Sequence, residues 1–454
     1  MKHRARFSAT LIAAAASLCA WAVPAASAPF ILVDAASGDV LDQRDATSPW
    51  FPASTTKLMT VYVALDAVAA GRMSLQTPIV VSPRAARMAP SKMGFRPGTQ
   101  VTLDNALKML MVQSANDIAV TIAEGVSGSV ENFADDMNAA AAKMGMRETR
   151  FANPNGLPDP RHVSSARDLA VLARALLARF PDQADLYDIG AMRLGARVYP
   201  THNGLLGRYP GADGMKTGFT CAAGFNVVAT ATRGGRKLIA VVLGAPSAAS
   251  RTMKAASLFD RGFGGRTEAG GALTSLPSMG IGAAPDMRDA ACRNRGKAVA
   301  EYVAQIEETA IPLKTGMEQT VSNQPERSFL AFGASSAPQQ VMGPGAVAAL
   351  PRPVFNPVDV YVGAAPGWTG PVAHALDYAG PTNVAEPATA ASVAGKVAEG
   401  AGEVEEEEKP AAAAKPAKEK GKGKGAEGKG SKATAAAKSA SSKPPPKKSA
   451  AKRK

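Results

Sequence analysis

Histidine is scarce in this chain: there are four in 454 residues, and only His162 and His202 fall within 29–265, the stretch with regular hydrophobic periodicity. A histidine-dependent serine triad therefore has few possible bases, and no GxSxG turn surrounds Ser54. Both histidines are read as structural. Cysteine is also scarce. Of three, Cys19 lies in the N-terminal leader, which leaves Cys221 and Cys292. No Cys/His cluster has metal-ligand spacing, so neither a metal nor another cofactor is expected. In a chain bound for an oxidising compartment, Cys221 and Cys292 are read either as a disulfide or as two unrelated buried thiols. Long apolar runs are missing too. Beyond the leader no stretch of 18 apolar residues occurs, so a mature chain is expected to be soluble or peripheral to a membrane.

Residues 1–28 have the organisation of a secretory signal: Lys2, Arg4 and Arg6, an apolar stretch from about Leu11 to Val23, then small residues through Ala28. Ala26-Ser27-Ala28 suits a cleavage site, although Pro29 would follow the cut. The predicted location is the periplasm or cell envelope. The net charge of +14 is unevenly placed: Lys409–Lys454 alone carries +13 and the leader +3, so residues 29–408 are close to neutral at −2. From Glu386 onward the composition is Ala, Lys, Pro, Gly and Glu, which cannot bury a core, and residues 386–454 read as a disordered basic tail. The tail is read either as a solvated chain or as a segment that holds anionic envelope polymers or lipid head groups. Nucleic acid is not an expected partner of a secreted chain.

Within 29–265 the periodicity predicts an α/β domain. Strands are expected at Phe30–Asp34, from Val40, at Phe225–Thr230 and at Leu238–Leu243, the last two joined by an Arg233–Arg236 turn. Between them lie a buried helix from Thr55 to about Ala70, helix over 103–126 with a break near Ser114, and helices over 130–144, 166–179 and 248–262. Ser165 with Asp168 reads as a capping box. Strands at both ends of a helical middle imply that the terminal strands share one sheet. Residues 266–385, rich in Gly, Ala and Pro, carry no predicted fold.

Three short groups carry chemistry: Ser54-Thr55-Thr56-Lys57, Ser114-Ala115-Asn116 and Lys216-Thr217-Gly218. Singly they are weak. Ser449…Lys452 and Lys314-Thr315-Gly316 repeat two of the patterns, and an isolated SxxK reads as an N-cap serine beside a solvated lysine. Their order and setting give them weight. Ser54 sits at the mouth of a buried helix, where free N–H groups favour developing negative charge, and Lys57 shares its face. A serine hydroxyl needs a base, and lysine serves only when burial or a second cation lowers its pKa. Lys216 is the candidate second cation. Ser114 offers a relay hydroxyl and Asn116 an amide. Lys216 and Thr217 suit a carboxylate, and Gly218 allows close backbone approach.

With their flanks, these groups resemble the D-alanyl-D-alanine carboxypeptidases of the low-molecular-weight penicillin-binding proteins, relatives of the serine β-lactamases. The resemblance spans about 29–265 and includes Pro52–Thr60, Ser114–Asp117, Phe151–Leu157 and Asp213–Thr220. It implies a serine β-lactamase/DD-peptidase-like α/β fold. It implies Ser54 as acylated nucleophile, Lys57 as base, Ser114 and Asn116 in proton transfer and positioning, and Lys216 and Thr217 on the substrate carboxylate. The N–H groups of Ser54 and Phe219 would form the oxyanion hole. The implied substrate is a peptidoglycan stem peptide ending in D-Ala-D-Ala, with β-lactams as inhibitors. The β-rich domain and amphipathic anchor that often follow in relatives are not evident in 266–454. A β-lactamase would need a water-activating glutamate, and Glu124, Glu131 and Glu148 lie in no such setting. Two further readings stay open: a DD-endopeptidase of the same superfamily, and an inactive peptidoglycan- or polyanion-binding protein.

Overall fold

A computed structural model of the protein describes residues 28–267, 270–309 and 344–379. The expected leader up to Ser27, the second Lys-Thr-Gly at Lys314 and the basic tail lie outside the described residues. Among the described residues no helix is long and apolar enough to cross a membrane.

The chain opens with β1 (Phe30–Asp34) and β2 (Val40–Arg44), then runs through a 3-10 turn, Ala53–Thr56, into α1 (Lys57–Ala69). A small pair, β3 (Pro78–Val80) and β4 (Gln100–Thr102), flanks the one-turn α2 (Pro83–Ala86). Four helices follow: α3 (Leu103–Val112), α4 (Asn116–Ser127), α5 (Val130–Met144) and α6 (Ala166–Arg179). Next come the short hairpin β5 (Ala191–Leu194) and β6 (Arg197–Pro200), and the long strands β7 (Ala212–Thr220), β8 (Gly224–Arg233) and β9 (Arg236–Ala245). Helices α7 (Ala248–Phe263), α8 (Arg295–Thr309) and α9 (Pro344–Ala349) and strand β10 (Val358–Val360) complete the order.

The five-stranded antiparallel sheet has the order β2-β1-β9-β8-β7. β1 pairs with β9, so the two ends of the domain share the sheet as the strand pattern predicted. Side chains alternate across a strand, and here both faces are covered. Ile31 and Val33 of β1 point into the larger core with α1, α3, α4 and α6, while Phe30 and Leu32 point into a second core with α7 and α8. That explains why these strands read as continuous apolar runs. The helices start and stop where the local chemistry dictates. The Ser165 side chain accepts the Asp168 N–H at the start of α6, and α4 and α5 end on left-handed Gly128 and Gly145. The expected break near Ser114 is a single left-handed residue (φ 58°) between α3 and α4.

Beyond α7 the chain packs onto the same two cores. Tyr302 and Ile306 of α8 enter the second core, and a disulfide joins Cys221, just after β7, to Cys292. Val347 of α9 is buried beside α7, and β10 adds in parallel to β5, where Asp359 pairs with Arg193. The chain then bridges to Val101 at Gly363 and to Ile79 at Ala373, and the Leu376 N–H donates to the Gly128 carbonyl. These contacts are too short to give a periodic signal, which is why no fold is predicted for this region from sequence.

Candidate active site

The nucleophile turn is held from three sides. From below, Asn226 of β8, fully buried, donates through Nδ2 to the carbonyls of Phe51 (2.9 Å) and Pro52 (3.1 Å), and its Oδ1 accepts the Gly244 N–H at 2.8 Å. Sequence reasoning passes over Asn226, although an amide inside the apolar run Phe225–Thr230 is the kind of buried polar residue that must be satisfying something. From the side, β7 presses Gly218 against the turn: a Cβ there would lie 2.8 Å from the Ser54 nitrogen and 3.0 Å from the Pro52 carbonyl oxygen. The glycine thus makes room for the nucleophile's own backbone. From behind comes the loop 151–162. The Pro154 carbonyl accepts from Thr60 Oγ1 (2.6 Å), and Gly156, at φ 78°, lies so close to the Ala53 carbonyl that no side chain fits. Ala53 itself is left-handed (φ 47°), a conformation that costs an alanine roughly 1–2 kcal/mol.

His162 belongs to this support. Its Nδ1 accepts the Ala152 N–H at 3.1 Å, so Nε2 carries the proton and donates to Thr56 Oγ1 at 2.8 Å. Burial lowers its pKa to about 4, so the ring is neutral at ordinary pH. His202 contributes its backbone carbonyl to Arg251.

Lys57 is completely buried. Its Nζ lies 3.0 Å from Ser54 Oγ, 2.7 Å from Asn116 Oδ1 and 2.6 Å from the Asn155 carbonyl oxygen. A neutral lysine has two N–H donors and one lone pair. Two of the three contacts are to carbonyl oxygens, which only accept, and the third is to a hydroxyl, which can donate. The contact set accommodates an ammonium that donates to all three and equally an uncharged amine with its lone pair directed at the Ser54 proton. Burial, then the positive charge of Lys216, drive the Lys57 pKa well below its ordinary value, against an opposing pull from Asp117.

Asn116 begins α4, and its Nδ2 donates to the carbonyls of Ala89 (3.0 Å) and Pro90 (3.1 Å). The neighbouring Asp117 accepts the N–H groups of Met93 and Gly94, so the loop 89–94 is tied to the start of α4. Burial raises the Asp117 pKa in spite of these bonds. Ser114 Oγ is buried and has no hydrogen-bond partner among the described residues. Lys216 and Thr217 are buried on β7, where Lys216 Nζ donates to the Thr217 carbonyl at 3.1 Å. Phe219 stacks on Phe225 with ring centres 4.1 Å apart. The structure thus brings Ser54, Lys57 and Asn116 into direct contact, sets Gly218 against Ser54, and places Lys216 near enough to act on Lys57 electrostatically. The three glutamates that could have activated a water are engaged elsewhere. Glu148 is buried with Arg167 and Ser278, Glu131 pairs with Arg84 at the surface, and Glu124 lies beside Ser82 and Arg84.

A serine and a buried lysine one helical turn apart, with an asparagine on the lysine and a Lys-Thr-Gly edge strand against the serine, define a penicillin-binding type of serine site on an α/β fold. A family model described as D-alanyl-D-alanine carboxypeptidase matches residues 16–247, and the chain belongs to that family. It is 37% identical over 241 residues to D-alanyl-D-alanine carboxypeptidase DacC of Escherichia coli K12, covering 52% of this chain and 60% of that one. It is 36% identical over 248 residues to DacB2 of Mycobacterium tuberculosis, covering 52% of this chain and 81% of that one. Among solved structures it resembles penicillin binding protein 5 from Haemophilus influenzae, with 34% identity and a TM-score of 0.51 over 52% of this chain and 70% of that one. Penicillin binding protein 6B from Escherichia coli is similar, with 34% identity and a TM-score of 0.50 over 52% of this chain and 76% of that one. The chain spans about 60% of the length of the first curated relatives it matches.

Proposed function

We propose that the protein is a serine-type D-Ala-D-Ala carboxypeptidase of the cell envelope, with residues 29–265 as its catalytic unit. It trims peptidoglycan stem peptides through a Ser54 ester. The observation that carries this reading is the fully buried Lys57, its Nζ 3.0 Å from Ser54 Oγ and its pKa driven down by burial and by the Lys216 charge. Ser54 Oγ attacks the carbonyl carbon of the penultimate D-Ala, and its proton passes to Lys57 Nζ. The N–H groups of Ser54 and Phe219 receive the oxyanion. Lys216 and Thr217 hold the terminal carboxylate, and the Asn116 amide orients Lys57 and the peptide. The amide C–N bond then breaks. The leaving amine takes the proton from Lys57 by way of Ser114, whose buried hydroxyl has no hydrogen-bond partner among the described residues and is available as a relay. Water attacks the ester and returns a proton to Lys57, the C–Oγ bond breaks, and Oγ is reprotonated. None of Glu124, Glu131 and Glu148 is placed to activate that water against a penicilloyl ester, which favours a long-lived β-lactam adduct over β-lactamase turnover. Intact-mass spectrometry after incubation with penicillin tests the proposal. One drug should add to the wild type and none to Ser54→Ala, and the wild type should release D-Ala from a D-Ala-D-Ala peptide. A folded wild type that neither forms the adduct nor releases D-Ala would refute it.

A further inference from the structure

The two N–H groups assigned to the oxyanion sit on different pieces of chain, Ser54 on the nucleophile turn and Phe219 on β7. Among the described residues β7 is an edge strand, paired within its sheet with β8 alone. Its ladder with β8 ends at Thr220 opposite Gly224, immediately past Phe219. The end of β7 is therefore fixed by the turn 221–223, and each residue of that turn is held from outside the hairpin. The Ala223 carbonyl accepts the Trp50 Nε1–H at 2.9 Å, and Trp50, just upstream of Ser54, is buried and paired through its backbone with Ser164. The Ala222 carbonyl accepts the Met287 N–H at 3.0 Å. Cys221 is bonded to Cys292.

Two of these ties come from Met287 and Cys292, which lie beyond the residues 16–247 that match the family model. The same stretch reaches the hairpin once more. Arg295 lays its guanidinium carbon 5.7 Å from the centre of the Phe225 ring, and Phe225 lies opposite Phe219 in the ladder and stacks on it at 4.1 Å. Behind the stretch stands α8, which buries Tyr302 and Ile306 in the second core. The end of a strand with one neighbour is the part of a sheet that opens most readily. A hydrogen bond and a covalent bond on consecutive residues of the turn suppress that opening close to the Phe219 N–H, while Trp50 ties the same turn to the lead-in of Ser54.

We propose that Met287, Cys292 and Arg295 are positioning residues for acyl transfer: they clamp the β7–β8 turn so that the Phe219 N–H stays aimed with that of Ser54, and the Cys221–Cys292 bond closes the clamp. The inference rests on the function proposed above, in which those two N–H groups receive the oxyanion. The oxyanion develops only along the reaction path, so a loosened donor raises the barrier and leaves substrate binding unchanged. Outright loss of such a donor costs about 10²–10³ in kcat, and a donor that is displaced but present costs part of that. Cys292 is exposed and Cys221 half-buried, so a thiol reagent reaches the bond in the folded protein. Full activity then depends on an oxidising compartment as well as on a folded chain.

Steady-state release of D-Ala from a D-Ala-D-Ala peptide tests this, on the full chain and at a temperature where circular dichroism shows every form folded. The samples are oxidised wild type, wild type reduced with dithiothreitol, and the Cys221→Ala/Cys292→Ala double variant with and without the reagent. In the reduced wild type and in the variant, kcat should be at least about tenfold lower and KM within about twofold, because the lost interaction is made only in the transition state. The reagent should leave the variant unchanged, and reoxidation should restore the wild type. A single kcat shared by all four samples of an active enzyme, or a change in KM alone, would overturn the clamp and leave the acyl-transfer reading standing. An oxidised wild type that releases no D-Ala would remove that reading and the clamp with it.

Discussion

At Lys57 the three contacts fit either protonation state, and burial with the nearby Lys216 charge favours the neutral one. Protonated, it would have three hydrogens for three partners and Ser54 would keep its own; neutral, it takes the hydroxyl proton instead. The burial and the Lys216 charge that favour the neutral form imply a pH profile. Penicillin acylation of the wild type should be slow at low pH, rise as pH climbs through the depressed lysine pKa, and level off above it. In Lys57→Met the rate should fall by roughly 10²–10⁴ at the plateau, measured by the time course of adduct mass. His162 gives a second prediction, on stability. Its pKa of about 4 lies below the ordinary 6.5, so the native state holds fewer protons than the unfolded one between those values. The stability it contributes is full above pH 6.5 and is lost as pH falls towards 4. The 2.5-unit gap corresponds to about 3 kcal/mol. The denaturant-derived stability difference between wild type and His162→Gln should shrink by about that amount between pH 7 and pH 4. A difference that stays constant would show that His162 is not held neutral.

Elements with many periodic residues were legible in the sequence, and elements defined by a single distant partner were not. α5, α6, α7, β8 and β9 lie within a few residues of their expected limits because each repeats its apolar face and carries a cap or turn signal. β5, β6 and β10 span only three or four residues each, and β10 exists only because β5 lies beside it. The site divides the same way. Ser54, Lys57, Asn116 and Lys216 announce themselves by motif, whereas Asn226 shows its purpose only once β8 is seen beneath Pro52. Gly218 was expected to admit substrate, and the packing of β7 adds the Ser54 turn itself as a reason for the glycine. Gly218→Ala should therefore push that turn away from β7. Penicillin acylation should slow by at least about tenfold, with a stability loss in the usual overpacking range of about 1–3 kcal/mol. Thermal melts and adduct kinetics measured together would separate the two effects, and unchanged kinetics would mean that the turn yields without moving Oγ.

For the whole molecule, residues 270–309 and 344–379 share the cores of the residues before them. The Cys221–Cys292 bond fastens the end of β7, three residues past Gly218, to the segment leading into α8, and it closes a loop with a sequence separation of 71. On a chain-entropy account such a loop contributes about 4 kcal/mol. Cys292→Ala should lower the melting temperature accordingly, and adding reductant to the wild type should reproduce the shift while leaving the variant unchanged. A variant that melts like oxidised wild type would remove the bond from the stability of the fold.

The pairing of β1 with β9 also has a consequence in time. Residues 30–34 find their partners at 238–242, about 200 positions later, and the Lys-Thr-Gly edge is held in the sheet only through β8 and β9. A chain made from its N-terminus therefore carries Ser54 and Lys57 long before Lys216 and the strands beneath the nucleophile turn are in place. Until then the Lys216 charge that helps lower the Lys57 pKa is missing, and Ser54 lacks part of what activates it. The order of the strands keeps the serine–lysine pair without its full surroundings until most of residues 28–245 have been made.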